Sequence, residues 1–158
     1  MFITVIGSGS KKREMSGDIA HWVGLHLMPR LQDKIFVDIH LINNLDEKDG
    51  LSGDCIWEDE SCNRPREFTV RVNSSQSLTD MLSTVAHEMV HVKQYARGEL
   101  KDFSGNVHLC KWKGKPFAWE KINYYDHPWE IEAHGRERGL FIRWFEQSQW
   151  KKCKWANY

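Results

Sequence analysis

Apolar residues alternate with polar ones along some stretches of this chain and return every three or four residues along others, and the two rhythms divide it into elements. Phe2 to Ile6 reads as a short strand. Residues 11 to 28 carry Met15, Ile19, Trp22, Val23 and Leu27 at helical intervals, and Pro29 stops that helix. Lys34 to Ile42, Leu51 to Glu58 and Glu67 to Val72 alternate as strands do, and their Asn-, Asp-, Gly- and Pro-bearing links predict an antiparallel meander. Ser75 or Ser77 can cap a helix running to about Arg97, with Gly98 as its C-terminal stop. Residues 107 to 119 form a predicted hairpin turning at Lys113-Gly114. Pro128 opens a last helix that reaches about Gln147.

Helix, three strands, helix, hairpin and helix is an α+β order, and no repeat or linker divides residues 1–158, so a single domain is expected. Lys+Arg and Asp+Glu both total 22, which argues against a chain that lives mainly on nucleic acid or on anionic membrane. No stretch approaches the ~18 apolar residues of a membrane span, and the run after Met1 is too short for a signal peptide. Cys55, Cys62, Cys110 and Cys153 form no C-x-x-C pair, so free thiols and a cytoplasmic location are expected. Gly7-Ser-Gly-Ser10 before two lysines lacks the spacing of a phosphate-binding loop. Eight Trp is a heavy load for this length, and some are expected to line a groove or an interface.

The chemistry concentrates in His87-Glu88-Met89-Val90-His91. Histidines four apart on a helix stand one above the other, so both imidazoles can reach one metal ion, with Glu88 beside them to take a proton from water. Leu78, Leu82, Val85, Met89 and Val92 form the apolar stripe of this helix, and the histidines lie off it. A catalytic zinc takes three protein ligands. On the last helix Trp129, Ala133, Leu140, Phe141 and Trp144 define a buried face; Glu130 falls within it, whereas Glu132 points the opposite way. A carboxylate aimed into an apolar face needs a partner, which makes Glu130 the expected third ligand. His108, at the start of the hairpin, is the alternative. His134 and Glu137 lean inward and can hold a ligand histidine by its second ring nitrogen.

The HExxH motif at 87–91, followed by Tyr125-Asp-His-Pro-Trp-Glu-Ile-Glu-Ala133, resembles a minimal gluzincin metallopeptidase, in the manner of small zinc-peptidase domains of phages and bacteria. A more distant similarity is to SprT-like proteins. The match covers about residues 77 to 140. It implies a zincin-like fold, a Zn2+ cofactor and hydrolysis of a peptide or protein substrate with Glu88 as general base. It also implies an oxyanion donor among Tyr124, Tyr125, His127 and His134. Substrates of such enzymes add as a strand beside a sheet edge, here 54–57 or the hairpin near Trp112. Two other readings stay open: an SprT-like DNA-associated protease, suggested by the basic and aromatic segments 111–115 and 151–155, and a binding module that keeps the metal as a staple. Nucleic acid is the less favoured partner, and no membrane is expected.

Overall fold

The computed structural model describes residues 1–59, 63–103 and 106–152. It is an α+β fold of four helices and two small sheets. Strand β1 (Phe2–Gly7) leads into α1 (Ser10–Leu27), then β2 (Phe36–Ile42), a one-turn helix α2 (Leu45–Asp49), β3 (Gly53–Trp57) and β4 (Glu67–Asn73). Helix α3 (Leu78–Ala96) follows. A second sheet of β5 (Leu100–Phe103), β6 (Asn106–Trp112) and β7 (Lys115–Phe117) comes next, and α4 (Pro128–Gln147) after it. No helix among the described residues is long and apolar enough to cross a membrane. Cys55 and Cys110 are free thiols; Cys62, Cys153 and most of the basic segment 151–155 lie outside the described residues.

The first sheet is not an antiparallel meander. Its order is β1-β2-β4-β3, with β1 parallel to β2, β2 parallel to β4, and only β3 antiparallel to its neighbour. The reason is covalent. A parallel pair needs a long crossover, and the eighteen residues of α1 supply one between β1 and β2. Alternation in sequence reports that one face is buried and says nothing of direction. Here Val37, Ile39, Leu41, Phe68, Val70 and Val72 point to one face, where they meet Met15, Ile19 and Val23 of α1 and Leu82, Val85 and Met89 of α3. Helix α4 closes this core with Ala133, Leu140, Phe141 and Trp144. The Trp144 indole N–H donates to Asp18 at 3.0 Å, which satisfies the polar end of a buried ring.

The ends of α3 follow local chemistry. Ser77 accepts from the Asp80 N–H at 3.1 Å as N-cap. At the other end Gly98 turns left-handed, φ 69°, and the Gly98 and Glu99 N–H groups return to the Tyr95 and Gln94 carbonyls at 2.8 Å. That turn brings Glu99 back beside Lys93. The hairpin turns where expected, with Lys113 and Gly114 at φ 47° and 84°, the double left-handed turn that joins two-residue hairpins. Sequence periodicity missed α2 and β5, both too short to show a period. Strand β5 makes β6 the centre of a three-stranded sheet whose buried side, Leu100, Cys110 and Trp112, packs on Trp129 at the start of α4.

Candidate metal centre

Three side chains from two helices converge in a buried spot. The Nε2 atoms of His87 and His91 stand 3.1 Å apart. Glu130 places one carboxylate oxygen 3.4 Å from the first and the other 3.4 Å from the second. All three residues are buried, with α3 supplying the histidines and α4 the glutamate. Four-coordinate zinc with N and O bonds of ~2.0–2.1 Å keeps its ligand atoms about 3.3–3.4 Å apart. The histidine nitrogens stand a little inside that spacing, and Glu130 meets it with a different oxygen toward each of them.

The outer hydrogen bonds fix what faces inward. His87 Nδ1 lies 2.6 Å from Glu137 Oε2, and His91 Nδ1 lies 2.9 Å from Gln94 Oε1. The Gln94 amide cannot be turned round, because its Nε2 donates to the Trp129 carbonyl at 2.9 Å and to Glu132 at 3.2 Å. Both Nδ1 atoms therefore face acceptors and carry the ring proton of the neutral form, which leaves both Nε2 lone pairs pointing at each other and at a carboxylate. Three acceptors converge with no donor among them. Such a centre demands positive charge, which a metal ion could supply.

Electrostatics agree with that demand. Burial opposes the charged form of His87, yet its hydrogen bonds to Glu130 and Glu137 and the charge of Glu88 raise it to about 10. His91 is raised in the same way, again against burial, by Glu130 and Glu88. Burial pushes the Glu130 carboxyl up, but the two histidines and Tyr124 hold it well below the usual carboxylate range. Without a metal, protons fill the site.

Glu88 is buried but is not one of the convergent donors. Burial raises its carboxyl to about 7, with the neighbouring histidines pulling the other way. Its space is cut from the sheet at Gly53 on β3. A β-carbon there would come within 2.7 Å of Thr84 Cγ2 and 3.0 Å of Glu88 Oε1. Two depressions meet at this carboxylate. One, about 470 Å³, is walled by Thr84, Tyr125, His134 and Glu137; the other, about 220 Å³, by Cys55, Tyr95, Leu100 and Trp129. His87, Glu88 and Tyr124 line both.

Strand β3 borders this cleft and is an edge strand. Its ladder to β4 includes Asn73 N–H to Ser52 O at 2.8 Å and Glu58 N–H to Glu67 O at 2.9 Å, so even-numbered residues bond to β4. Gly53, Cys55 and Trp57 turn their backbone N–H and C=O groups to the open side.

The remaining residues singled out in the sequence sort themselves by distance. Glu137 grips His87, and His134 stands beside both, its Nδ1 3.3 Å from Glu137. Those two and His87 could also surround an ion, but a 2.6 Å separation suits a shared proton rather than two ligands of one metal. His108 is not in the cluster. It is exposed on β6, 2.6 Å from Glu120; it shares the parity of the buried Cys110 and Trp112, but the β5–β6 register shifts beside it. Tyr125 is exposed at the rim, and its neighbour Tyr124 reaches in, donating its hydroxyl to Glu130 at 2.7 Å. His127 is buried, with Nε2 2.9 Å from the Trp119 carbonyl. Glu132 does not face solvent as its helical angle suggests. It pairs with the buried Lys93 ammonium at 2.7 Å, which Glu99 also meets at 2.6 Å. The angle was right about α4 alone but omitted α3, which crosses on that side. Gln94 was not anticipated, although an amide three residues after His91 on a buried helix face was a visible signal.

Compared with family models, curated proteins and solved structures, the chain matches none of them. Its functional reading rests on the site.

Proposed function

We propose that this chain is a zinc-dependent peptidase of zincin-like build, with His87, His91 and Glu130 as the metal ligands and Glu88 as the general base. The observation that carries the proposal is the convergence of three lone-pair donors at zinc-like spacing, with both imidazoles locked in the tautomer a metal requires. Imidazole and carboxylate donors suit zinc, and three protein ligands leave a position open, as a catalytic site needs.

Zinc in such a site supplies Lewis-acid polarisation of a carbonyl and acidification of water. The protein's own groups provide the rest. Glu88, a buried carboxylate beside the cluster, can accept a proton from the attacking water and return it to the leaving amine. Tyr124 is the hydroxyl placed to donate to a developing oxyanion, since it already reaches Glu130 in the cluster. The outward N–H and C=O groups of Gly53 and Cys55 offer an extended substrate the backbone pairing of an added strand. Depressions on both sides of Glu88 let a chain run through instead of ending there, which favours internal peptide bonds.

The test is metal analysis joined to hydrolysis of a fluorogenic peptide mixture. One zinc per chain, and turnover abolished by Glu88→Gln with the metal retained, are expected. Purified protein that binds no zinc in wild type, or a Glu88→Gln variant that hydrolyses as fast as wild type, would sink the proposal.

A further inference from the structure

Away from the zinc site, four guanidinium groups line one depression. Arg30, Arg64, Arg66 and Arg97 surround a space of about 390 Å³, together with the apolar side chains of Leu27, Met28 and Pro29. In a chain of zero formal charge this local excess needs a reason. Part of it is structural. The C-termini of α1 and α3 both end here, at Leu27 and Ala96, and helix C-termini attract cations. Arg66 answers one of them, its Nη1 donating to the Ala96 carbonyl at 2.7 Å and to Pro65 O at 2.9 Å. Arg97 lies 3.1 Å from Glu99.

Arg30 and Arg64 have no such employment: among the described residues neither has an ion pair or a hydrogen bond. Arg64 is nevertheless seated. Its stem lies over Gly98, where a β-carbon would come 3.3 Å from Arg64 Cγ and 3.0 Å from the Lys101 stem. An adjoining depression of about 420 Å³ shares Arg97 and adds Lys93, Lys113 and Arg136 against the carboxylates of Glu99 and Glu132, so a smaller positive excess continues past the rim. Planar guanidinium forks match phosphate oxygens two at a time, and an apolar wall beside them suits the organic part of a phosphorylated molecule.

We propose that the depression between the C-termini of α1 and α3 is a binding site for a phosphoester anion, with Arg30 and Arg64 as its principal donors and Arg66 and Arg97 behind them. The ligand is either a free nucleotide-sized polyphosphate or the backbone of a nucleic-acid strand continuing over Lys113 and Arg136; both present the same phosphate chemistry. This site does not depend on the zinc reading, since none of its residues touches the metal cluster.

Calorimetric titration of the full chain at low salt with inorganic pyrophosphate, with ADP and with a short single-stranded oligonucleotide tests it. Saturable binding of at least one probe is expected, weakened at least tenfold by the Arg30→Ala/Arg64→Ala double substitution and by Arg64→Ala alone to a smaller degree, with zinc content unchanged. Tight pyrophosphate or ADP binding identifies the free ligand as the source. Oligonucleotide binding that is steeply salt-dependent and also falls in Lys113→Ala/Arg136→Ala identifies the strand. No saturable binding of any probe overturns the proposal, and so does binding that the Arg30/Arg64 double variant leaves intact while circular dichroism shows it folded.

Discussion

Gln94 and His91 are joined side chain to side chain at 2.9 Å, one turn apart on α3, and the amide is held in that sense by Trp129 and Glu132 on α4. The ring orientation of a candidate ligand is thus set by the helix that supplies another. Gln94→Met removes the acceptor while keeping the volume, and zinc affinity should fall ~10–100-fold. Titration against a chromophoric chelator measures this. Unchanged affinity would mean that packing alone orients His91.

Glu88 stands at the meeting of both depressions without joining the convergent donors. Glu88→Gln should therefore keep stoichiometric zinc and lower peptide hydrolysis by at least ~10². Loss of metal in this variant would assign Glu88 to the ligand set instead.

Neighbouring carboxylates on α4 should respond oppositely. Glu130→Ala removes one of the three proposed ligands, and zinc affinity should fall by orders of magnitude. Glu132→Ala leaves the buried Lys93 ammonium with Glu99 alone, and should cost roughly 1–3 kcal/mol in urea unfolding while zinc still binds one to one. Zinc retained by Glu130→Ala would send the search for the third ligand elsewhere.

Gly53 makes room for the Glu88 carboxylate: a methyl group there meets Thr84 Cγ2, the Arg71 carbonyl and that carboxylate, and one of them has to shift. Gly53→Ala should retain zinc and lose at least tenfold in kcat. Full activity would show that β3 can retreat without consequence.

Metal-free protein should lose stability as pH rises. The folded pKa of His87, about 10, lies above its ordinary 6.5, so the stabilisation from its pairing with Glu130 and Glu137 is complete below ~6.5 and fades as pH climbs towards 10. Zinc-loaded protein should behave in reverse and release metal in acid, because protons compete for the same Nε2 atoms. Urea unfolding at pH 6, 8 and 9.5, with and without chelator, separates the two trends.

Much of this was legible because helices announce themselves. The caps at Ser77 and Gly98, the proline at 128 and the spacing of His87 and His91 are local signals, and they place α3 and α4 to within a residue or two. The direction of β2 and β4 was not legible, because a buried face has the same alternation whichever way its neighbour runs. Glu132 and Gln94 were missed for a related reason. Their partners sit on another helix, and a helical wheel drawn for one element cannot contain the groups that cross it. Tyr124 and Tyr125 are adjacent in sequence, and only the tertiary turn before α4 decides which of them reaches the cluster.

The strand order carries a consequence for how the chain assembles. Strand β3 comes before β4 in the sequence, yet among the described residues β4 is its sole ladder partner and sits between it and β2. The β3–β4 pair is local, its strands consecutive and antiparallel, so the wall of the cleft that carries Gly53 can form early. Pairing β2 with β4 has to close over the whole intervening segment, β3 included, and non-local closure of this kind is slow. A nascent β2–β3 pairing would occupy the place that β4 must take. A chain interrupted late in folding would have the rim of its groove without the sheet that backs it.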